Sequence, residues 1–180
     1  MFSLKEPKTG TDGTMSWTVD VLNPRTGDDF VLGLKEITLP GEGKDAGVTR
    51  PYSMWLSGKY PRALDGLSKL LSLDMRVLDP AWIGMKLRKL LDYPEPLGDF
   101  MAFVPGSRKQ QTYPSTVAYI ANLIIHRYAM LGVLDEAGKF NMRIAGRQVT
   151  DGTRIFAQDL PPQIRPARGS SPFALPLSTG

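Results

Sequence analysis

The residues that could do chemistry in this chain are mainly lysines and arginines, and they occur in three short clusters. The clusters are Lys86, Arg88 and Lys89; Arg108 and Lys109; and Arg165 and Arg168. Cationic side chains contact phosphates without reading a base sequence, and near a membrane each attracts acidic lipid headgroups by about 1 kcal/mol. The clusters therefore predict anion-binding sites for lipid or RNA, although each is also consistent with a solvated helix face or a polar loop.

The overall charge agrees with an anionic partner. The formal net charge is +4 and the isoelectric point is about 9.4. This excess favours nucleic acid or acidic headgroups without requiring them, because many soluble proteins are equally basic. Trp82 and Tyr113 lie near the first two clusters and would stack on bases, but packing into the core is the stronger interpretation for Trp82.

Catalytic chemistry has little support in the residue types. His126 is the only histidine, and no Gly-x-Ser-x-Gly motif accompanies it. We interpret it as a core or edge histidine. Asp28 and Asp29 are adjacent carboxylates, but in a hairpin turn we expect them to solvate the turn. The sequence therefore predicts a non-enzyme with no catalytic residue and no small-molecule substrate. The alternative is a hydrolase or transferase built on carboxylates that the sequence does not pair.

Metal and cofactor sites are also not predicted. The chain has no cysteine, which excludes disulfides, thiolate nucleophiles and cysteine-based zinc or iron–sulfur sites. The one histidine and the scattered carboxylates show no ligand spacing. Gly41 and Gly43 follow Pro40 and open no clear helix, so they are not a dinucleotide-binding fingerprint.

Three helices would position the basic clusters. Leucines recur with the 3.6-residue period over 61–74 and 80–92. The second of these helices has a favourable start, because Asp79 caps a helix well and Pro80 suits its first position. Over 115–131 apolar residues cover most of the helix circumference, which is typical of a buried helix.

Strand signals stand at both ends of the chain. Alternating residues predict an N-terminal hairpin over 17–22 and 30–39 and a C-terminal hairpin over 140–144 and 154–157. A short buried strand is predicted over 100–104. The expected fold class is α+β, in which an antiparallel sheet from the N- and C-terminal hairpins packs against about three helices.

A stretch before the first helix adds apolar bulk. Tyr52, Met54 and Trp55 precede Gly58, and we interpret this stretch as a short helix or a loop packed on the core. A hydrophobic face around these three residues would meet a neighbouring subunit. The stretch therefore predicts self-association.

Composition predicts one domain with polar ends. Of the 180 residues, 42% are apolar, which is enough for a core, and no apolar run reaches the length of a membrane span. We expect a flexible lead over 1–13, a single α+β domain over 14–160, and a Pro- and Arg-rich tail over 161–180. The N-terminus has no apolar signal core, so we expect an intracellular location, cytoplasmic and membrane-associated, or a virion.

The central stretch carries a resemblance to a known family. Leu56-Ser57-Gly58-Lys59-Tyr60-Pro61 leads into a helix with Gly66-Leu67 and Lys69, after which come Pro80, Trp82 and Lys86-Leu87-Arg88-Lys89. These residues resemble the matrix proteins of rhabdoviruses. The hairpin over 19–34 falls where that family has its opening strands, and the end of the third helix with the strand over 140–144 is similar to the family's C-terminal end. The resemblance covers about half of the chain.

Membership in that family would imply a non-enzymatic structural protein. Such proteins self-associate, condense the nucleocapsid and tie it to the inner face of an envelope. The chain departs from the family in its lead, which has only Lys5 and Lys8 and no Pro-Pro-x-Tyr budding motif. Tyr93-Pro94-Glu95-Pro96-Leu97, in a connector, resembles another docking pattern of budding viruses.

Together these observations predict a structural and assembly protein. Its expected partners are copies of itself, a nucleocapsid or RNA, and an acidic membrane surface. A nucleic-acid-binding module, such as a nucleocapsid or accessory protein, is the first alternative, and an unrecognised enzyme is the second.

Overall fold

Antiparallel strands and helices follow one another along the chain, which the computed structural model describes over residues 11–39 and 47–140. In chain order the elements are β1 (Ser16–Asn23), β2 (Asp28–Thr38), β3 (Thr49–Lys59), α1 (Ala63–Met75), α2 (Pro80–Leu90), β4 (Phe100–Phe103), β5 (Gln110–Tyr113) and α3 (Thr116–Met130). The fold class is α+β, as the sequence predicts. All three helices lie within two residues of their predicted bounds, while the sheet differs in composition.

The main sheet has three antiparallel strands in the order β1-β2-β3. The turn between β1 and β2 is set by its residue types: Asn23 Oδ1 accepts a hydrogen bond from the Arg25 N–H, and Gly27 adopts a φ of +73°. On β2, every second residue from Phe30 to Leu34 is buried and faces the core. The N-terminal hairpin is therefore confirmed.

The third strand is where the sequence interpretation was wrong. The stretch around Tyr52, Met54 and Trp55 is neither a helix nor a loop, because β3 pairs with β2 along most of its length. Its apolar residues alternate with Ser53 and Ser57, which is strand periodicity. Pro51 within the strand obscured this signal.

Trp55 covers the face of the sheet that points away from the core. Its ring lies over Gly33, where a side-chain carbon would stand 2.0 Å from Trp55 Cε2. The indole N–H donates to Ser16 Oγ over 3.2 Å. Trp55 therefore spans all three strands, and only glycine at position 33 leaves room for it.

Helix α3 lies across the opposite face of the sheet. At its N-terminus Thr116 Oγ1 accepts from Asn23 Nδ2 (2.9 Å) and donates to Asp28 Oδ2 (2.9 Å). Near its C-terminus the Tyr128 hydroxyl donates to the Pro51 carbonyl over 3.0 Å. Ten of its 15 residues are buried, which confirms the predicted core helix. Asp28 is buried in this contact, and its Oδ2 also accepts from the Thr26 hydroxyl of the turn over 2.7 Å. It therefore bonds to the turn, but as a buried carboxylate rather than a solvated one.

Helix α1 packs beside β3 and leads into α2. Ser72 Oγ accepts from the Met54 N–H over 2.9 Å, so the helix covers the outer edge of β3. Buried Arg50 donates to the carbonyls of Met75 (2.8 Å), Val77 (2.7 Å) and Leu78 (2.9 Å) at the end of α1. Helix α2 begins as predicted, with Asp79 Oδ1 accepting from the Ala81 N–H.

Strands β4 and β5 form a separate antiparallel hairpin. The strand predicted over 100–104 is confirmed by β4, while β5 was not predicted from the sequence. The lead over 1–10, most of the predicted C-terminal hairpin, and the tail over 161–180 lie outside the described residues. At their border, Phe140 makes an isolated antiparallel bridge with Leu134.

Candidate functional site

The first basic cluster, on α2, is divided by the fold. Lys86 and Lys89 are three residues apart and share a helix face, whereas Arg88 points elsewhere. Lys86 Nζ lies 4.7 Å from the centroid of the Trp82 ring, a cation–π contact. Lys89 is exposed and, within the described ranges, has no hydrogen bond or ion pair. The three cations therefore do not form one continuous patch.

Arg88 has a structural contact. Its guanidinium donates to the carbonyl of Gly138, 50 residues away in sequence. That carbonyl packs against Gly84, where a side-chain carbon would stand 2.4 Å from the Gly138 oxygen. Arg88 and Gly84 together hold the 135–139 turn on α2, so we assign this arginine to the fold.

The second basic cluster lies at the tip of the β4–β5 hairpin. The turn is closed by a hydrogen bond from the Val104 N–H to the Lys109 carbonyl (2.8 Å) and another from the Ser107 N–H to the Val104 carbonyl (2.9 Å). Arg108 and Lys109 are both exposed. Within the part of the chain that the structure describes, neither side chain has an ion-pair partner, so both charges face solvent.

His126 fixes the position of this turn. Gly106 adopts a φ of +70°, and a side-chain carbon there would stand 2.5 Å from His126 Cε1. The other side of the imidazole faces Glu136, whose Oε1 lies 3.3 Å from Nδ1. The histidine lies at an edge between the hairpin turn and Glu136, as the sequence suggests, and it packs the turn against α3.

One face of the same hairpin carries two exposed apolar side chains. Met101 and Phe103 are 56% and 55% exposed. Their register partners are Thr112 and Gln110, so the four side chains share one face of the ribbon. Such a face beside cations suits the boundary between headgroups and acyl chains of a membrane. We define the basic–apolar hairpin by Met101, Phe103, Arg108 and Lys109.

The opposite face anchors the hairpin to α3. The ring of Tyr119 lies 5.6 Å from that of Phe100 and 4.7 Å from that of Tyr113, centroid to centroid. Burial raises the pKa of both Tyr113 and Tyr119 above the ordinary tyrosine value, so both hydroxyls are neutral at physiological pH. Tyr113 is buried in this cluster, so it does not present its ring to a nucleic acid as the sequence allowed.

The predicted self-association face must be corrected. Tyr52 and Met54 are only 2% and 4% exposed, because both point into the core. Their side chains therefore cannot meet a neighbouring subunit. Trp55 is half-buried on the outer face of the sheet. Self-association stays a prediction, but it would need other residues.

Two further expectations concern the basic residues and their neighbours. Arg165 and Arg168 lie outside the described residues. Trp82 is half-buried and its indole N–H donates to Asp74 Oδ1 over 2.7 Å.

The sequence analysis missed the exposed pair Met101 and Phe103. Phe100–Phe103 is a continuous apolar run without a period, so only its pairing with β5 decides which side chains face outward.

A pocket of about 280 Å³ lies between β3 and α1. Its lining residues are Ser53, Met54, Ser68, Lys69, Ser72, Leu73 and Arg76. Ser72 Oγ is already bonded to the Met54 N–H and to the Ser68 carbonyl. These residues include no carboxylate or imidazole to act as a general acid or base. Within 11–39 and 47–140, no three histidine or carboxylate side chains are grouped to hold a metal.

Comparison with known proteins found no protein-family model, no curated protein and no solved structure that matches this chain. Among the described residues, no helix combines the length and apolar character needed to cross a bilayer.

Proposed function

We propose that this protein is a non-enzymatic, matrix-like structural protein that attaches to an acidic membrane surface through the basic–apolar hairpin and self-associates there. One observation carries the proposal: exposed Met101 and Phe103 share a single short hairpin with exposed Arg108 and Lys109. The sequence resemblance to rhabdovirus matrix proteins supports the same function. The proposed location is the inner face of a membrane, in the cell or in a virion.

The two kinds of residue contribute separate attractions. Each cation near an acidic surface contributes about 1 kcal/mol. Removing the exposed half of Met101 and of Phe103 from water adds about 1 kcal/mol for each side chain, about half of the roughly 1.5–3 kcal/mol that full burial of such a side chain contributes. Either pair alone gives weak binding, so we expect firm but reversible attachment only when both act together.

The anchoring of the hairpin favours this role. The Tyr119 contacts and the packing of Gly106 on His126 hold the ribbon before any partner arrives. Because this ordering precedes binding, less conformational entropy is lost on attachment. The hairpin would dip into the headgroup region while the core strands and helices stay outside the bilayer.

The geometry favours a lipid surface over RNA. Bases stack on aromatic rings, but Phe103 is the only exposed aromatic residue of β4 and β5, since Phe100 and Tyr113 are buried. Met101 has no ring on which a base could stack, whereas a membrane accepts any apolar side chain. RNA binding is therefore a second outcome of the test below.

Cosedimentation with lipid vesicles tests the proposal. We expect the full chain to bind vesicles that contain phosphatidylserine, to bind phosphatidylcholine vesicles much more weakly, and to dissociate as salt rises. A parallel salt titration with single-stranded RNA provides the comparison. Absence of binding to acidic vesicles at low salt would contradict the proposal, and tight, steeply salt-dependent binding to RNA alone would favour the nucleic-acid alternative.

The apolar half of the site has a matched control within the chain. Met101→Ser with Phe103→Ser should weaken binding to acidic vesicles about tenfold or more, as expected from the loss of about 2 kcal/mol of apolar burial. Leu70→Ser with Leu73→Ser removes two α1 side chains that are at least as exposed and should leave binding unchanged. Equal loss in both variants would indicate non-specific apolar adsorption.

A further inference from the structure

The two edges of the three-stranded sheet differ in how they are covered. Along β3, Ser72 of α1 bonds to the backbone of Met54, and Arg76 Nε donates to the Tyr52 carbonyl over 3.5 Å. Along β1, no described strand pairs with the outer backbone groups and no described residue hydrogen-bonds to them. Among the described residues, therefore, only the β1 edge is left open for pairing.

The register identifies which groups of β1 are open. The Glu36 N–H donates to the Met15 carbonyl over 3.1 Å, which extends the β1–β2 ladder by one pair. In an antiparallel ladder the hydrogen-bonded residues alternate, so odd-numbered β1 residues bond to β2. The N–H and C=O groups that point away from the sheet belong to the even-numbered residues, which are Ser16, Thr18, Asp20 and Leu22.

This edge lacks the features that usually prevent strand pairing. Natural edge strands carry proline, lysine or bulges, or they are very short. The eight residues of β1 include no proline, glycine, lysine or arginine, and Asp20 is the only charge. The covered strand β3, by contrast, contains Pro51, Gly58 and Lys59. The uncovered edge is thus the one without protection.

We propose that β1 pairs antiparallel with β1 of a second copy of this chain, about a two-fold axis at Val19. The inference deepens the self-association within the proposed function and rests on that part of it. It is independent of membrane binding. The joined sheets form one six-stranded sheet, and the two edges satisfy each other.

In the joined sheet, the core-facing side chains of both copies must lie on the same face. Residues that stand opposite each other point to the same face, so the centre of a symmetric pairing falls on a residue. With Val19 at the centre, Thr18 stands opposite Asp20 of the second copy, and the outward groups of all four even-numbered residues make about eight hydrogen bonds. Val19 meets its own symmetry mate, and Trp17 meets Val21.

The neighbouring registers are less favourable. With Asp20 at the centre, two carboxylates stand directly opposite each other, which is destabilising. With Thr18 at the centre, Leu22 has no partner within the strand, so two hydrogen bonds are lost. The Val19 register avoids both costs, because it separates the aspartates and uses the whole edge. The Val19 register is therefore the most favourable of these three symmetric pairings.

Opposite charges at a single position test the register. Thr18 is exposed, so its substitution should leave the fold intact. In sedimentation equilibrium of the full chain, Thr18→Asp places two like-charge pairs across the axis and should weaken dimerisation about fivefold or more. An edge lysine opposes pairing with a strand that offers it no anion, but in this register Thr18→Lys meets Asp20 of the second copy. It places two Lys–Asp pairs across the axis and should strengthen dimerisation about twofold to fivefold at low salt.

Several results would overturn this inference. One is a wild-type chain that stays monomeric at the highest soluble concentration. The others are a dimer whose dissociation constant changes with neither substitution, and a dimer that both substitutions weaken. Amide exchange by NMR adds a direct readout: protection of Thr18 and Asp20 should rise with protein concentration. Protection of these amides that does not depend on concentration means that the same chain covers the edge, and it also overturns the inference.

The same variants separate this inference from the proposed membrane attachment. Thr18→Asp should dissociate the dimer while each monomer still binds acidic vesicles through its hairpin. Vesicle binding by a wild-type chain that never dimerises would overturn the β1 pairing alone. A dimer that ignores acidic vesicles would contradict membrane attachment alone.

Discussion

The sheet–helix junction and the hairpin tip both carry cations, and they use them in opposite ways. At the junction Arg50 is only 2% exposed and donates to three carbonyls, while Arg127 makes two hydrogen bonds to the Glu36 carboxylate, of 2.6 and 2.9 Å. At the tip Arg108 and Lys109 are exposed and have no ion-pair partner among the described residues. Charges of the same sign thus stabilise the fold in one region and remain available in the other.

The difference follows from solvation. A buried cation has lost its water, so it must be compensated by protein acceptors, and removing it leaves those acceptors unsatisfied. An exposed cation keeps its water and contributes little to stability, but it can approach an anionic surface. Arg88, bonded to Gly138, belongs with the first group although the sequence places it beside Lys89. Contacts within the fold, rather than the number of charges, decide which cations can function as a binding site.

The largest effect on stability should come from removing a buried cation, Arg50. Arg50→Met leaves three carbonyls without their donor, two of them in buried hydrogen bonds, and we expect a loss of about 3 kcal/mol or more in the free energy of unfolding. Arg108→Met should change it by less than about 0.5 kcal/mol. Urea unfolding measures both. If Arg50→Met prevents folding, Arg50→Lys gives an intermediate value, because its single ammonium nitrogen keeps the charge but cannot reach all three carbonyls. Equal stability of Arg50→Met and wild type would contradict the assignment.

The ion pair at the junction should give a smaller effect. Arg127→Met leaves the largely buried Glu36 carboxylate without its cation, and we expect a loss of about 2 kcal/mol. The double variant Arg127→Met with Glu36→Gln should recover part of that loss, since it removes the unpaired charge. A double-mutant cycle on urea unfolding measures the coupling, and strict additivity would show that the pair contributes nothing.

The smallest of these effects should appear in the pH dependence of the free energy of unfolding, through the buried hydroxyl of Tyr128. Tyr128 is fully buried, and this burial raises its pKa far above the ordinary value of 10.0. In the unfolded chain this tyrosine ionises near pH 10, while in the folded chain it stays neutral. Its contribution to stability is therefore complete below pH 10 and falls above it, by at most about 1.4 kcal/mol per pH unit.

The control for this titration is Tyr128→Phe, which cannot ionise at that position. It loses the hydrogen bond to the Pro51 carbonyl, so we expect it to be less stable than wild type at neutral pH by about 1 kcal/mol. Its stability should then fall less steeply between pH 10 and 11. Parallel curves for the two proteins would show that Tyr128 ionises equally in both states.

The sequence predicts the helices well because their signals are local. The leucine period defines α1, the Asp79-Pro80 start defines α2, and the continuous apolar surface of α3 indicates burial. Strands β1 and β2 alternate clearly. β3 is less predictable, since Pro51 interrupts a pattern whose meaning depends on pairing with β2.

The candidate site is only partly predictable because its contacts join distant residues. Nothing near Arg50 in the sequence indicates that its guanidinium reaches carbonyls 25 to 28 residues away. The partner of Arg88 is 50 residues away. The cluster at Arg108 and Lys109 was predicted from its residue types. The structure shows that both side chains are exposed and adds the two apolar side chains that distinguish this cluster from the one on α2.

Binding isotherms on phosphatidylserine vesicles test the central claim most directly, by comparing two double substitutions that each remove two charges. Arg108→Gln with Lys109→Gln should weaken binding about thirtyfold, as expected from about 1 kcal/mol per cation. Lys86→Gln with Lys89→Gln should weaken it less than about threefold, because those lysines lie on α2 rather than on the basic–apolar hairpin. Equal weakening by the two variants, or greater weakening by the α2 variant, would contradict attachment through the hairpin.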